Sequence, residues 1–145
     1  MTGDEKEGPD MQELTLEASL SNVPIVTRFV DDYLAVRNCP VKVRTQLDIA
    51  IDELFSNIAN YAYFPSAGQA TVRISVDGDP PAVTITLIDR GVPYNPLSRQ
   101  DPNVTLAAEE RQIGGLGIFM TKKMMDDMTY ERRDGQNILA IRKAL

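Results

Sequence analysis

Leu47-Asp48-Ile49-Ala50-Ile51-Asp52-Glu53-Leu54-Phe55-Ser56-Asn57-Ile58-Ala59-Asn60-Tyr61-Ala62 is the stretch on which the fold turns. Leu47, Ile51, Leu54, Phe55, Ile58 and Ala62 recur at the helical period of about 3.6 residues, so they form one buried stripe. Pro40 marks the start of this helix, which the spacing carries to about Tyr63, and Pro65 and Gly68 end it. Glu53 and Asn57 stand four positions apart, so they project from the same face, one turn apart, beside the stripe. Asn60 extends that row. An asparagine carbonyl is a hard, neutral ligand suited to Mg²⁺ held mainly by phosphates and water. A glutamate one turn away can take a proton from an attacking hydroxyl or water. Alone, Glu-x-x-x-Asn is far more often a solvated helix face.

Outward from this helix, the pattern predicts an α/β chain. Residues 1–10 are polar and read as a frayed tail, with a single domain over 11–145. Leu14 to Ala18 alternate as a strand does. Ser21 or Asn22 can cap a following helix, whose stripe is Val26, Phe29, Val30, Tyr33 and Leu34. Beyond the long helix come strands at Ala70–Val76 and Ala82–Asp89, then an aperiodic stretch from Gly91 to Ile113. A loop of that length inside a compact domain is usually functional or mobile. A third helix starts near Gly115 or Leu116, with Ile118, Thr121, Met124, Met125 and Met128 inward. A hairpin, Thr129–Arg133 and Ile138–Arg142, turns through Asp134-Gly135. Three helices and about five strands suggest a two-layer sandwich, with the helices on one face of a sheet.

Composition narrows the function. A chain of 145 residues, 43% hydrophobic and 25% charged, is an ordinary soluble domain. Its net charge of −6 argues against direct nucleic-acid binding, which relies on basic side chains. The sequence contains no histidine. That rules out Ser-His-Asp and Cys-His catalysis, histidine-bound zinc and a histidine phosphoacceptor within it. Cys39 is the only cysteine, so no internal disulfide forms, which fits a reducing compartment. There is no apolar run of about 18 residues and no signal-peptide pattern, so the expected setting is cytoplasmic, away from the membrane.

Two further motifs carry chemistry. Asp89 ends an apolar strand, where its carboxylate can accept the exocyclic amine of adenine, a contact guanine does not offer at that position. Gly91 lets the backbone approach a base closely and Pro93 stiffens the exit. Gly114-Gly115-Leu116-Gly117 opens a helix without a side-chain cap, and exposed N–H groups there suit a phosphate. The spacing is neither that of a Walker loop nor of a dinucleotide fold. Each motif taken alone is common in turns and linkers. Their order and placement in one chain are not.

Ala50 to Asn57 resembles the N box of the GHKL ATPases, the superfamily of gyrase, histidine kinases and MutL. Asp89-Arg90-Gly91-Val92-Pro93 resembles its G1 box, and Gly114-Gly115-Leu116-Gly117-Ile118 its G2 box. The likeness spans about residues 14–143. Within the superfamily it is closest to the anti-sigma-factor serine/threonine kinases, through Pro93-Tyr94-Asn95-Pro96 and the run from Gly114 to Met120. The resemblance implies the Bergerat α/β sandwich, three helices on one face of a mixed sheet, with a lid at about 96–113.

It also implies roles. Glu53 would be the general base, Asn57 the Mg²⁺ ligand and Asp89 the adenine contact. Gly91, Pro93, Gly114, Gly115, Leu116 and Gly117 would line ATP, and Arg111 would meet the γ-phosphate from the lid. The implied reaction moves that phosphate to a serine or threonine of a STAS-domain anti-anti-sigma protein. In the other state, a homodimer would sequester a sigma factor. Tyr61 stands where many relatives carry a histidine. The competing reading is an ATP-dependent binding module that clamps a partner without phosphoryl transfer. Retention of both Glu53 and Asn57 favours the enzyme, since a binder needs no base.

Overall fold

The computed structural model describes residues 11–98 and 115–145. Strands β1 (Gln12–Glu17), β2 (Gln69–Asp77), β3 (Ala82–Asp89), β4 (Asp127–Arg133) and β5 (Gln136–Ala144) form one sheet in the order β1-β2-β3-β5-β4. Helices α1 (Val23–Ala35), α2 (Val41–Asn57) and α3 (Gly115–Met124) supply the second layer. Alternation puts Val72 and Ile74, Ile85 and Leu87, and Leu139 and Ile141 on one side of the sheet. There they share a core with Val30 and Leu34 of α1, Ile51 and Phe55 of α2, and Ile118 of α3. Phe55 is fully buried.

Every pairing in this sheet is antiparallel, not mixed as the resemblance implied. Hairpins account for β2–β3 and β4–β5. Strands β3 and β4 run in the same direction, but β5 lies between them and separates them. The β4–β5 turn holds Asp134 at φ 54° and Gly135 at φ 75°, as a tight two-residue hairpin demands.

Three local expectations are revised. Helix α2 ends at Asn57, and Ile58–Ala62 continue it as a wider π turn, not as regular α-helix. Met128 belongs to β4, because α3 stops at Met124. Asn22 takes the cap position of α1 but its amide donates back to the Glu17 carbonyl at 2.8 Å, and no side chain caps the helix. The expected tail at 1–10 and most of the expected lid lie outside the described residues, apart from a short 3-10 turn at Pro96–Ser98.

Helices α1 and α2 meet at a pair of carboxyl groups. The Asp48 side chain is hydrogen-bonded to that of Asp31. One oxygen of each, Oδ1, is buried with no partner among the described residues. Burial first, then the hydrogen bond and the like charge of Asp31, push Asp48 up to about 7, with Arg44 pulling the other way. Cys39 is half-buried beside them, and burial raises its thiol above the ordinary value, which suits an inert cysteine.

A carboxyl group that is harder to ionise when folded stabilises most below its unfolded pKa, and that stability is lost as pH rises through the folded value. The wild-type melting temperature should therefore lose a contribution between about pH 4 and about pH 7. Asp48→Asn keeps a donor toward Asp31 and should flatten that slope, melting above the wild type at alkaline pH. Parallel melting curves against pH for the two proteins would remove the pair from the account.

Candidate nucleotide-binding site

The end of β3 is held from three sides. Sheet register sets Asp89 opposite Asn137 of β5, both pointing inward in the rows of Leu87 and Leu139. Asp89 is only 6% exposed and Asn137 5%. Asp89 Oδ1 accepts the Gly91 backbone N–H at 2.8 Å and the Asn137 amide at 2.9 Å. The first bond is an Asx turn, the physical content of an Asp-x-Gly motif. Asn137 also donates to the Val92 carbonyl at 2.8 Å, while its own oxygen accepts the Tyr130 hydroxyl and the Tyr94 N–H. All of the Asn137 amide is thus engaged, which fixes Asp89 in one orientation. Both bonds end on Asp89 Oδ1, so Oδ2 is the atom that can take a further donor.

Gly91 makes its approach to the protein's own backbone. A Cβ there would lie 2.2 Å from the Ala62 carbonyl oxygen, so only glycine fits. The neighbouring Val92 N–H donates to that same carbonyl at 2.9 Å. The π turn at the end of α2 presents this carbonyl, and such turns often mark functional sites. Arg132 of β4 closes the far side, donating to the Gly91 carbonyl at 2.8 Å.

On α2, the Asn57 amide nitrogen donates to Glu53 Oε2 at 3.3 Å. This leaves the ligand role to the carbonyl oxygen, the donor type that Mg²⁺ favours. Among the described residues no three acidic or thiol groups gather to hold a metal by themselves. A single neutral oxygen suits an ion that arrives on a triphosphate. Gly117, in the first turn of α3, packs on the Glu53 carboxylate: a Cβ there would lie 2.1 Å from Glu53 Oε1.

A cavity lies between α2 and the sheet, lined among others by Asn57, Tyr61, Asp89, Tyr94, Tyr130 and Asn137. Its mainly apolar walls with a few convergent polar groups are of the kind that suits a small-molecule ligand. Of the sequence candidates, Asn57 and Asp89 line it, and Glu53 touches Asn57. Gly91 is buried beneath it against Ala62, and Pro93 is exposed outside its lining. Gly115 and Leu116 open α3. Arg111 and Gly114 lie outside the described residues. Thr121 is 1% exposed and donates to the Gly117 carbonyl at 2.9 Å, a packing role. Sequence reasoning missed Asn137 and Tyr130. A polar residue at an inward position, in line with Leu139 and Ile141, was the available signal.

An α/β sandwich with an acidic strand end and an Asn-bearing helix on one cavity, and a glycine-led helix packed on the neighbouring Glu53, is the arrangement of a nucleotide-binding domain. Comparison with known proteins makes the class definite. Residues 16–143 match the histidine kinase-like ATPase domain, and the chain belongs to that family. It is similar to serine/threonine-protein kinase BtrW of Bordetella bronchiseptica, 26% identical over 111 residues, covering 76% of this chain and 78% of the relative. It is also similar to serine-protein kinase RsbW of Bacillus mycoides, 28% identical over 97 residues, covering 64% of this chain and 59% of the relative. The RsbU and RsbW domains of Rv1364c from Mycobacterium tuberculosis share the fold. The TM-score is 0.67 at 18% identity, over 93% of this chain and 32% of that one. The histidine kinase domain of Erythrobacter litoralis EL346 aligns over 87% of this chain and 60% of its own, with TM-score 0.52 and 13% identity.

The Asp89 geometry predicts a base-specific defect. Asp89→Asn should weaken ATP binding roughly 10- to 150-fold, the worth of a hydrogen bond to a charged group, and leave inorganic triphosphate unaffected. Titration calorimetry with both ligands checks it. Equal losses for the two would remove Asp89 as the adenine contact.

Proposed function

We propose that this protein is an ATP- and Mg²⁺-dependent serine/threonine kinase that acts in partner switching. Its substrate would be a STAS-domain anti-anti-sigma protein, and in its other state it would sequester a sigma factor. The active form would be a homodimer in the cytoplasm. The observation that carries the enzyme reading is the Glu53–Asn57 pair, hydrogen-bonded beside a cavity that ends on Asp89. The names of the kinases BtrW and RsbW support the same reaction class.

Phosphoryl transfer depends on alignment and charge neutralisation more than on covalent chemistry by the protein. Asp89, held by Asn137 and Gly91, would accept the adenine amine and set the depth of the nucleotide. Asn57 would offer its carbonyl oxygen to a Mg²⁺ that neutralises phosphate charge. The N–H groups at the start of α3, with Gly114 and Arg111, would meet the phosphates. Glu53 would take the proton of the acceptor hydroxyl as its oxygen bonds to the γ-phosphorus. The bond from that phosphorus to the bridging oxygen breaks, leaving ADP and a phosphorylated side chain. Gly117 lets α3 lie directly on the base, which limits the orientations open to Glu53.

Described residues contain no helix long and apolar enough to cross a membrane. Cys39 is the only thiol in the chain, which accords with a reducing compartment.

Transfer from γ-labelled ATP to purified STAS-domain proteins tests this reading. Wild type should place label on serine or threonine, and Glu53→Ala should lower the rate by roughly 10²–10⁴-fold, the range for a general base. ATP binding should survive in Glu53→Ala, whereas Asn57→Ala should lose the Mg²⁺-dependent part of that binding. Tight ATP binding by wild type with no transfer to any STAS-domain protein would overturn the kinase reading in favour of a binding module.

A further inference from the structure

A second concavity lies on the other flank of Glu53. Ile49, Asp52, Glu53 and Ser56 recur at positions i, i+3, i+4 and i+7 of α2, so they form one face of that helix. Met120 and Met124 of α3 line the opposite wall. The resulting groove is open to solvent, with a volume of about 430 Å³. Ile49 and Met120 are about half exposed, at 50% and 49%, although both are large apolar side chains. Both ionisable residues in its lining, Asp52 and Glu53, are acidic.

The groove and the nucleotide cavity meet at a single pair of side chains. Asn57 lines the cavity, Glu53 lines the groove, and the two are hydrogen-bonded to each other. Gly117 also lines the groove, and its missing side chain is what leaves room for the Glu53 carboxylate there. In an in-line displacement the attacking and leaving oxygens lie on opposite sides of the phosphorus. With a nucleotide on the Asp89 and Asn57 side, an acceptor reaching Glu53 from the groove would meet the phosphorus from the side away from the leaving group.

We infer that the α2–α3 groove is the docking site for the acceptor segment of the protein substrate, an inference that rests on the kinase reading above. The segment it fits carries a serine or threonine beside a basic residue and an apolar one. The hydroxyl reaches Glu53 and the basic residue faces Asp52. The apolar side chain packs on Ile49 and the two methionines, whose flexible thioethers adapt to varied shapes. Charge complementarity selects this occupant: an acidic segment would be repelled by both carboxylates.

Asp52→Lys reverses the rim charge and Met120→Glu places a charge on the apolar wall. Val36→Glu, at a 77% exposed position just after α1, is the control. The full-length chain is assayed with labelled ATP and a purified STAS-domain protein over a range of substrate concentrations, and ATP affinity is measured separately. Both groove variants should raise the KM for the protein substrate about tenfold or more. ATP affinity should stay within about twofold of wild type, and the control should match wild type throughout. An unchanged KM in both groove variants, with wild type active, overturns the docking site and leaves the kinase reading intact. A wild type that labels no STAS-domain protein overturns the kinase reading, and the docking site falls with it.

Discussion

Helix α2 is the platform on which the site is assembled, and two glycines decide how closely other segments reach it. Gly91 brings the end of β3 onto the Ala62 carbonyl, and Gly117 brings α3 onto the Glu53 carboxylate. A Cβ at Gly91 would lie 2.2 Å from the Ala62 oxygen of the π turn, and one at Gly117 would lie 2.1 Å from Glu53 Oε1 of α2. At Gly91 the atoms met are backbone, so relief requires a backbone shift at a typical cost of about 1–3 kcal/mol, whereas at Gly117 the Glu53 carboxylate would be displaced from its place. The adenine-contact candidate and the base candidate thus share one reference frame. Burial of Leu47, Ile51, Leu54 and Phe55 keeps that frame fixed against the sheet.

The second constraint is polar. A carboxylate as buried as Asp89 is tolerable only when its oxygens are hydrogen-bonded. The Gly91 N–H and the Asn137 amide meet that need while leaving Oδ2 to a ligand. Asn137 in turn is fixed by Tyr130 and by the backbone at Val92 and Tyr94. The network ties β3, β4, β5 and the segment after Gly91 into one rigid wall. Preorganisation of this kind lowers the cost of ordering groups when a nucleotide binds.

Much of this was legible in the sequence because it rests on short-range periodicity. The stripe from Leu47 to Ala62 located α2, and Asp134-Gly135 located a hairpin whose two turn residues both take positive φ. Glu53 and Asn57 could be placed on one face because four residues span about one turn. What escaped depends on contacts between distant segments. The π turn at Ile58–Ala62 packs through Ala62 on Gly91 and Val92, about thirty residues away, and has no local signature. The insertion of β5 between β3 and β4 is a choice of partner that alternation does not encode. Gly91 was read as room for a ligand, whereas the room is taken by Ala62. Asn137 sat unnoticed in a strand, since its importance lies in standing opposite Asp89.

As proposed above, the cavity between α2 and the sheet would receive ATP with its base on Asp89 and its phosphates toward Asn57 and α3. A crystal structure of the chain with Mg²⁺ and a non-hydrolysable ATP analogue would decide this. The adenine amine should lie within hydrogen-bond distance of Asp89 Oδ2, the Asn57 carbonyl oxygen on the metal, and Glu53 on the far side of the γ-phosphate. A base bound elsewhere, or an Asp89 carboxylate that makes no contact with it, would rule this arrangement out.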